Sequence, residues 1–281
     1  VHMLAGRWSD GRIEPIDEAS ELVGLAEDVY GGGAISPERL SRAVEAVATL
    51  AQRARDRGAT TVVLAATAAV RDAANASDLA AAVRDRAGLE MRAISGEREA
   101  ELTYRGASAG EEAPTLQVCD VGGGSTEVIR AESGRVTLQT SLPIGSSRLS
   151  RHVTADPPTP DEVISAYNEA ARAIAALPPW RPARLIVTGG TATALAVVAG
   201  GTGRRYVMRV DELAQARALL SRRPSRQIAA GYGVEPKRAR LLPAGVAIIA
   251  ALCDATGVDE LVLSAAGLRD GMLIEHFEGK G

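Results

Sequence analysis

The residues Cys119-Asp120-Val121-Gly122-Gly123-Gly124-Ser125-Thr126-Glu127 concentrate more chemistry than any other stretch of this chain. An apolar run, Leu116 to Cys119, ends on a carboxylate. Three glycines and two hydroxyls follow, and a second carboxylate, Glu127, opens the next apolar run. Glycine lets a backbone approach a ligand closely and take positive φ. Successive amide N–H groups in such a turn make an anion-binding concavity. A carboxylate at its mouth suits Mg²⁺, which binds through one or two carboxylates together with substrate phosphates. The segment reads as a phosphate–metal loop between two strands. A glycine-rich hairpin with a charged tip is the plainer alternative, and the segment by itself leaves it open.

Four further segments carry candidate chemistry. In 65–75, Arg71 and Asn75 stand four apart after a strand, and at helical spacing they would share a face. In 94–101, a strand end and a turn lead into a helix start with three acids, Glu97, Glu99 and Glu101. Acids in a first helical turn complement the macrodipole, which accounts for two of them without any function. In 185–193, a strand meets the Gly189-Gly190 turn and a helix that begins near Thr191. The free N–H groups of a helix start can receive an anion, while packing of small residues would produce the same composition. In 266–271, Arg269 follows a strand at another helix start.

The elements that must position these residues follow from periodicity. Val1 to about Leu25 alternates around Ser9-Asp10-Gly11, a hairpin signal, and Gly31-Gly32-Gly33 reads as a connector. Ser36-Pro37-Glu38 marks a helix start, and Leu40, Val44, Val47, Leu50 and Ala54 recur at helical spacing up to Gly58. Strands are expected at 61–65, 89–94, 116–119, 126–131, 136–142, 184–187 and 261–263. Helices are expected at 77–87, 97–107, 146–152, 160–177, 190–198, 211–221, 224–231, 238–256 and 268–277. Strands alternating with helices define an α/β class. The polar, turn-rich stretch 110–114 predicts a domain boundary, giving domains 1–113 and 114–281, with the last helix able to pack back on the first. Each half opens with a hairpin-like group and then alternates strand and helix, a plan that points to two related domains facing a cleft.

Composition narrows the function classes. The chain has 281 residues, 46% hydrophobic and 24% charged, as expected for a soluble globular protein of two domains. No apolar run approaches the ~20 residues of a membrane span, and no signal peptide opens the chain. A cytoplasmic protein without a membrane partner is expected. Cys119 and Cys253 are expected to be buried free thiols, and three scattered histidines do not make a zinc site. The net charge of −3 argues against a general pull on polyanions, and 3% aromatic residues argues against base-stacking platforms, so no nucleic-acid partner is expected. The cations are nearly all arginine, so any phosphate clamp would be built from guanidinium forks.

Taken together, the motifs at 120–127, 66–75, 94–100, 141–145 (Ser-Leu-Pro-Ile-Gly), 189–191 (Gly-Gly-Thr) and 267–271 (Gly-Leu-Arg-Asp-Gly) resemble the exopolyphosphatase / guanosine pentaphosphate phosphohydrolase family, in order and in family-like spacing. The resemblance covers nearly the whole chain and matches the short members. It implies two ribonuclease-H-like domains of the actin and sugar-kinase superfamily, with the active site in the cleft between them. It implies Glu99 as the base that activates water and Asp120 as the aspartate linked to Mg²⁺ or another divalent cation. Gly122, Gly123, Gly124 and Ser125 match the second phosphate loop, Glu127 a further active-site carboxylate, and Arg71 a phosphate-binding arginine. Gly189, Gly190 and Thr191 match the substrate-side turn of the second domain, and Arg269 a further substrate contact. A homodimer is the expected assembly. Two departures stand out. Glu101 occupies a position where the family commonly has arginine, and the chain as given opens just past the family's first strand and first phosphate loop, which are expected to be missing.

The expected activity is release of terminal orthophosphate from inorganic polyphosphate, with guanosine pentaphosphate as the alternative substrate. A kinase of the same superfamily and a non-catalytic binder of polyphosphate or guanosine tetraphosphate remain competing readings. An extended basic groove would mark a polyphosphate enzyme, with Arg148, Arg151, Arg204, Arg205 and Arg209 as its candidate lining.

Overall fold

A computed structural model describes residues 1–9 and 12–279, arranged as two compact units. The first comprises Val1–Leu102 and Leu268–Gly281, the second Thr103–Gly267. The division therefore falls between Leu102 and Thr103, inside a helix, rather than in the 110–114 stretch.

The first unit opens with β1 (His2–Ser9) and β2 (Arg12–Ser20), an antiparallel pair in which Ser9 stands opposite Arg12. The turn residues Asp10 and Gly11 lie outside the described residues. Helix α1 (Leu25–Gly32) occupies part of what reads as a connector: Gly31 and Gly32 are its last residues, and Gly33, at φ +76°, ends it with its N–H on the Val29 carbonyl. Left-handed caps of this kind are what glycine supplies most cheaply. Helix α2 (Pro37–Asp56) starts as its sequence dictates, with Ser36 accepting the Arg39 N–H and Pro37 in the first turn. Its stripe Val44, Val47, Leu50 and Ala54 is buried. Asp17 of β2 receives a two-pronged contact from Arg53 of α2 at 2.7 and 2.8 Å.

Next come β3 (Leu64–Ala66), α3 (Ala68–Arg71), α4 (Ala76–Ala87), β4 (Met91–Ala93) and α5 (Gly96–Ala107). β3 and β4 pair in parallel, as a sheet separate from β1 and β2. Val29, Ile35, Val44, Val47, Val70, Leu79 and Val83 form this unit's core.

The second unit is built on a six-stranded mixed sheet. Its strands in chain order are β5 (Thr115–Val121), β6 (Thr126–Glu132), β7 (Arg135–Leu142), β8 (Arg184–Thr188), β9 (Arg205–Arg209) and β10 (Glu260–Ser264). Their spatial order is β7-β6-β5-β8-β10-β9. β5, β8 and β10 run parallel in the centre, while β6, β7 and β9 are antiparallel to their neighbours. A meander followed by strand–helix alternation is the plan expected from sequence. The interleaved helices are α6 (Ser146–Leu149, followed by a 3-10 turn over Ser150–His152), α7 (Pro160–Ile174), α8 (Gly190–Val198), α9 (Val210–Leu220), α10 (Ser225–Tyr232) and α11 (Pro236–Thr256).

Helix α11 is long and apolar enough to cross a bilayer by length and composition, contrary to the sequence expectation. Yet 72% of its apolar window is buried within the protein, which is how a core helix behaves. Ile248, Ile249 and Leu252 of α11 share one core with Leu185 and Val187 of β8 and Leu195 of α8. The last helix, α12 (Leu268–Glu278), belongs to the first unit.

Candidate active site

The glycine loop joins β5 to β6 in the second unit. Asp120 is the penultimate residue of β5, paired in register with Glu127 of β6 on one side and Thr188 of β8 on the other. Directly paired residues share a sheet face, so Asp120, Glu127 and Thr188 form one row at the strand ends. Two carboxylates side by side repel unless a cation or hydrogen bonds intervene. Glu127 is partly satisfied: its Oε1 accepts from the Ser125 hydroxyl at 2.7 Å and from the Ser141 hydroxyl at 2.9 Å. It thereby ties the loop to β7.

Within the loop, the Gly122 N–H donates to the Ser125 carbonyl at 3.0 Å. The outward carbonyls are engaged by the chain that follows β7. Gly122 O accepts from the Ser146 N–H, Gly123 O from those of Ser147 and Arg148, and Gly124 O from Arg148 Nε at 3.0 Å. Among the described residues, the amides of Gly123, Gly124 and Ser125 have no such partner. A turn whose carbonyls are taken up and whose amides are not presents donors, as an anion site requires.

The glycines work by closeness rather than by positive φ, contrary to part of the sequence argument. Neither Gly122 nor Gly123 adopts positive φ. A Cβ on Gly145 would lie 2.5 Å from the Gly123 carbonyl, so Gly145 is what lets the clamping segment reach the loop.

The Gly189-Gly190 turn ends β8 beside Asp120. Gly189 has φ +92°, and a Cβ there would stand 2.5 Å from Asp120 Oδ1. A Cβ on Gly190 would meet the Arg238 guanidinium at 2.0 Å. Thr191 is buried, and its side chain would lie 2.4 Å from a Cβ at Gly245 of α11. Thr191 thus packs α8 onto α11, while Gly189 and Gly190 line the turn. Arg238 is a cation at this turn that the sequence reading missed. The available signal was its place in the first turn of a helix, where Glu235 accepts the Lys237 and Arg238 amides and fixes the entry of the chain.

In the first unit, Arg71 ends α3 and donates to the Ile94 carbonyl at 2.9 Å. Its Nη1 lies 3.6 Å from Glu99 Oε2 of α5. The three acids of 94–101 now separate. Glu97 is held below the usual carboxylate range by its own backbone N–H, then by Ser95 and Arg71, as an acid at a helix start should be. Glu101 pairs with Arg98 at 2.6 Å. Glu99 makes the ion-pair contact to Arg71, at 3.6 Å. Arg71 and Asn75 do not share a helical face as expected, because α3 stops at Arg71. Asn75 instead bridges the Ile35 backbone, accepting its N–H and donating to its carbonyl, both at 2.9 Å. Arg269 is also tied down structurally: it contacts Glu18 at 2.8 Å and the Met3 carbonyl at 3.3 Å, fastening α12 to the hairpin.

A family model described as the Ppx/GppA phosphatase family matches residues 6–279. The chain belongs to the Ppx/GppA phosphatase family. It is 30% identical to an uncharacterised protein of Streptomyces coelicolor, over 99% of this chain and 87% of that one. It is 26% identical to exopolyphosphatase 1 of Mycobacterium tuberculosis, over 100% of this chain and 86% of that one. Among solved structures, an Aquifex aeolicus Ppx/GppA family member superposes with a TM-score of 0.85 at 24% identity, covering 100% of this chain and 94% of that chain. An exopolyphosphatase from Cytophaga hutchinsonii gives 0.85 at 23% identity, covering 99% and 94%. The Ppx/GppA fold, a mixed α/β architecture, is therefore the fold of this protein.

Of the five arginines expected to line a basic groove, three have an acidic partner. Arg151 pairs with Glu169, Arg205 with Glu111, and Arg209 with Asp211 at 3.1 Å. Arg204 donates to the Ala265 carbonyl at 3.5 Å. Arg151, Arg205 and Arg209 thus neutralise local acids. Arg148 differs, since it engages the glycine loop.

Proposed function

We propose that this Ppx/GppA protein is a phosphohydrolase that releases terminal orthophosphate from inorganic polyphosphate by metal-assisted attack of water. The observation that carries the reading is the glycine loop, whose carbonyls are clamped by residues 146–148 while the 123–125 amides are left to donate.

Phosphoryl transfer asks for positioning and charge neutralisation more than for covalent chemistry. In this proposal the Gly123, Gly124 and Ser125 amides bind oxygens of the terminal phosphoryl group. Glu127 keeps Ser125 and the loop in register through its two hydroxyl contacts. Arg71, braced by the Ile94 carbonyl, offers its guanidinium to a phosphoryl oxygen. Glu99 orients the attacking water and takes its proton on a carboxylate oxygen. The residues present fit a divalent cation such as Mg²⁺. Asp120 stands at a strand end beside Glu127, and Gly189 places no side chain over its Oδ1. Asp120 would hold that ion, which when bound supplies neutralising charge to phosphate oxygens.

The test is orthophosphate release measured in parallel on long-chain polyphosphate and on guanosine pentaphosphate, with Mg²⁺ present. Faster release from polyphosphate is expected. Release from guanosine pentaphosphate alone would reassign the substrate. ATP-dependent phosphorylation of another molecule, or polyphosphate binding without turnover, would overturn the hydrolase reading.

A further inference from the structure

Helices α5 and α12 meet within the first unit at two points, one helical turn apart on each. Leu102 of α5 is buried, and a Cβ on Gly271 of α12 would strike its carbonyl, so the two backbones approach closely there. Four residues earlier on α5 and four later on α12, Arg98 pairs with Glu275. Residues four apart share a helix face, so Arg98 and Leu102 present one face of α5 to Gly271 and Glu275. The Arg98 guanidinium is also held from its own helix, with Nη1 2.6 Å from Glu101 Oε2 while Nη2 takes Glu275. Its backbone N–H donates to the Ser95 hydroxyl at 3.2 Å. Helix α12 is itself fastened to the hairpin, by Arg269 on Glu18 at 2.8 Å and by Phe277 stacked on Trp8.

A single contact between two helices leaves each free to turn about its own axis, and a second contact one turn away fixes that angle. The Arg98–Glu275 pair is partly exposed, and a pair so placed adds little to stability. Its leverage is geometric. Glu99 follows Arg98 directly in the first turn of α5. A side-chain tip lies about 5–6 Å from the helix axis, so a turn of about 10° moves it by about 1 Å. A displacement of that size at a reacting group can cost about 10²-fold in rate. We infer that Arg98, clamped between Glu101 and Glu275, is a positioning residue that sets the angle of the first turn of α5 and with it the Glu99 carboxylate. This rests on the phosphohydrolase reading, in which Glu99 takes the proton from the attacking water.

Steady-state orthophosphate release from polyphosphate with Mg²⁺, measured on Arg98→Met in the wild-type and in the Glu99→Gln background, tests it. In the wild-type background kcat should fall about tenfold with KM changed by less than about twofold, because the base is misplaced while the phosphate contacts stay. Arg98→Lys, which keeps the cation, should recover part of the loss, and Glu275→Gln, which removes only the α12 arm, should reproduce most of it. In Glu99→Gln no carboxylate is left to misplace, so Arg98→Met should lower kcat there by less than about twofold. An equal fall in both backgrounds would show a structural role only, and an unchanged kcat in the wild-type background would show none; each overturns the inference while the phosphohydrolase reading stands. Near-normal turnover in Glu99→Gln, or none in the wild type, would overturn the role of Glu99 and the inference with it. A melting temperature for each variant separates unfolding from misplacement, and Glu275→Gln carries the comparison if Arg98→Met unfolds.

Discussion

Gly189 has little freedom to change beside Asp120. Its φ of +92° is one that side-chain-bearing residues rarely adopt, and its missing Cβ is the space in which Asp120 Oδ1 sits. Gly189→Ala should therefore cost about 1–3 kcal/mol of stability and displace the aspartate. Urea unfolding and phosphate release should both show it, and a variant with unchanged midpoint and turnover would contradict this account of the turn. Burial pushes both thiols, Cys119 and Cys253, up to about 12. At pH 8 both are thus protonated and shielded, and neither should react with an aromatic disulfide reagent until the protein is unfolded, when two equivalents should appear. At this scale the sequence was readable by type but not by partner. Glu97, Glu99 and Glu101 are equivalent as letters, and only the fold shows that a turn, an arginine one helix turn away and Arg71 divide them.

Among the elements, α7 shows how one carboxylate fixes a segment. Glu162 Oε1 accepts from the Thr154 N–H and hydroxyl and from the Ala155 N–H, while Oε2 accepts from the Thr159 N–H. Thr159 returns the contact to the Glu162 N–H, completing a capping box. These bonds, led by the Thr154 hydroxyl, hold the Glu162 carboxyl at about 2 against an ordinary 4.5. A depressed folded value means that its stabilisation is complete above pH 4.5 and is lost as pH falls toward 2. The stability gap between wild type and Glu162→Gln in urea should be constant near neutrality, shrink below pH 4.5 and close near pH 2. A gap that does not change over that range would contradict the assignment. Helix α12 depends on a glycine: a Cβ on Gly271 would fall 1.9 Å from the Leu102 carbonyl of α5. Gly271→Ala should destabilise by about 1–3 kcal/mol, read as a lower melting temperature.

Elements with strong signals were legible, among them α2 with its Ser36-Pro37-Glu38 start and α4 with Gly88 as its left-handed end. α1 was missed because its three glycines read as a connector, although only Gly33 acts as the cap. β9 was missed because Arg205-Tyr206-Val207-Met208-Arg209 is an edge strand, and three of its five residues are exposed. Its inward residues Tyr206 and Met208 flank an exposed but apolar Val207, so the alternation of burial does not show as an alternation of residue type.

For the whole molecule, the order of the motifs outweighed any one of them. Six segments in register identified the family, and the family model spans residues 6–279. The α/β class and the strand–helix alternation of the second unit were equally legible, because parallel central strands are apolar runs with recognisable ends. The unit division was not, since it falls within α5, where no change of composition marks it. Nor was the placement of the arginines: ion pairing of Arg151, Arg205 and Arg209 with Glu169, Glu111 and Asp211 depends on neighbours distant in sequence or on side-chain direction.

In the proposed hydrolysis of a phosphoanhydride, Glu99 takes the proton from water. Orthophosphate release from polyphosphate with Mg²⁺, compared between wild type and Glu99→Gln, tests it most directly. Turnover by the wild type and a fall of ~10²-fold or more in the variant, with an unaltered melting temperature, are the expected results. Near-normal turnover in Glu99→Gln, or none in the wild type, would contradict that role.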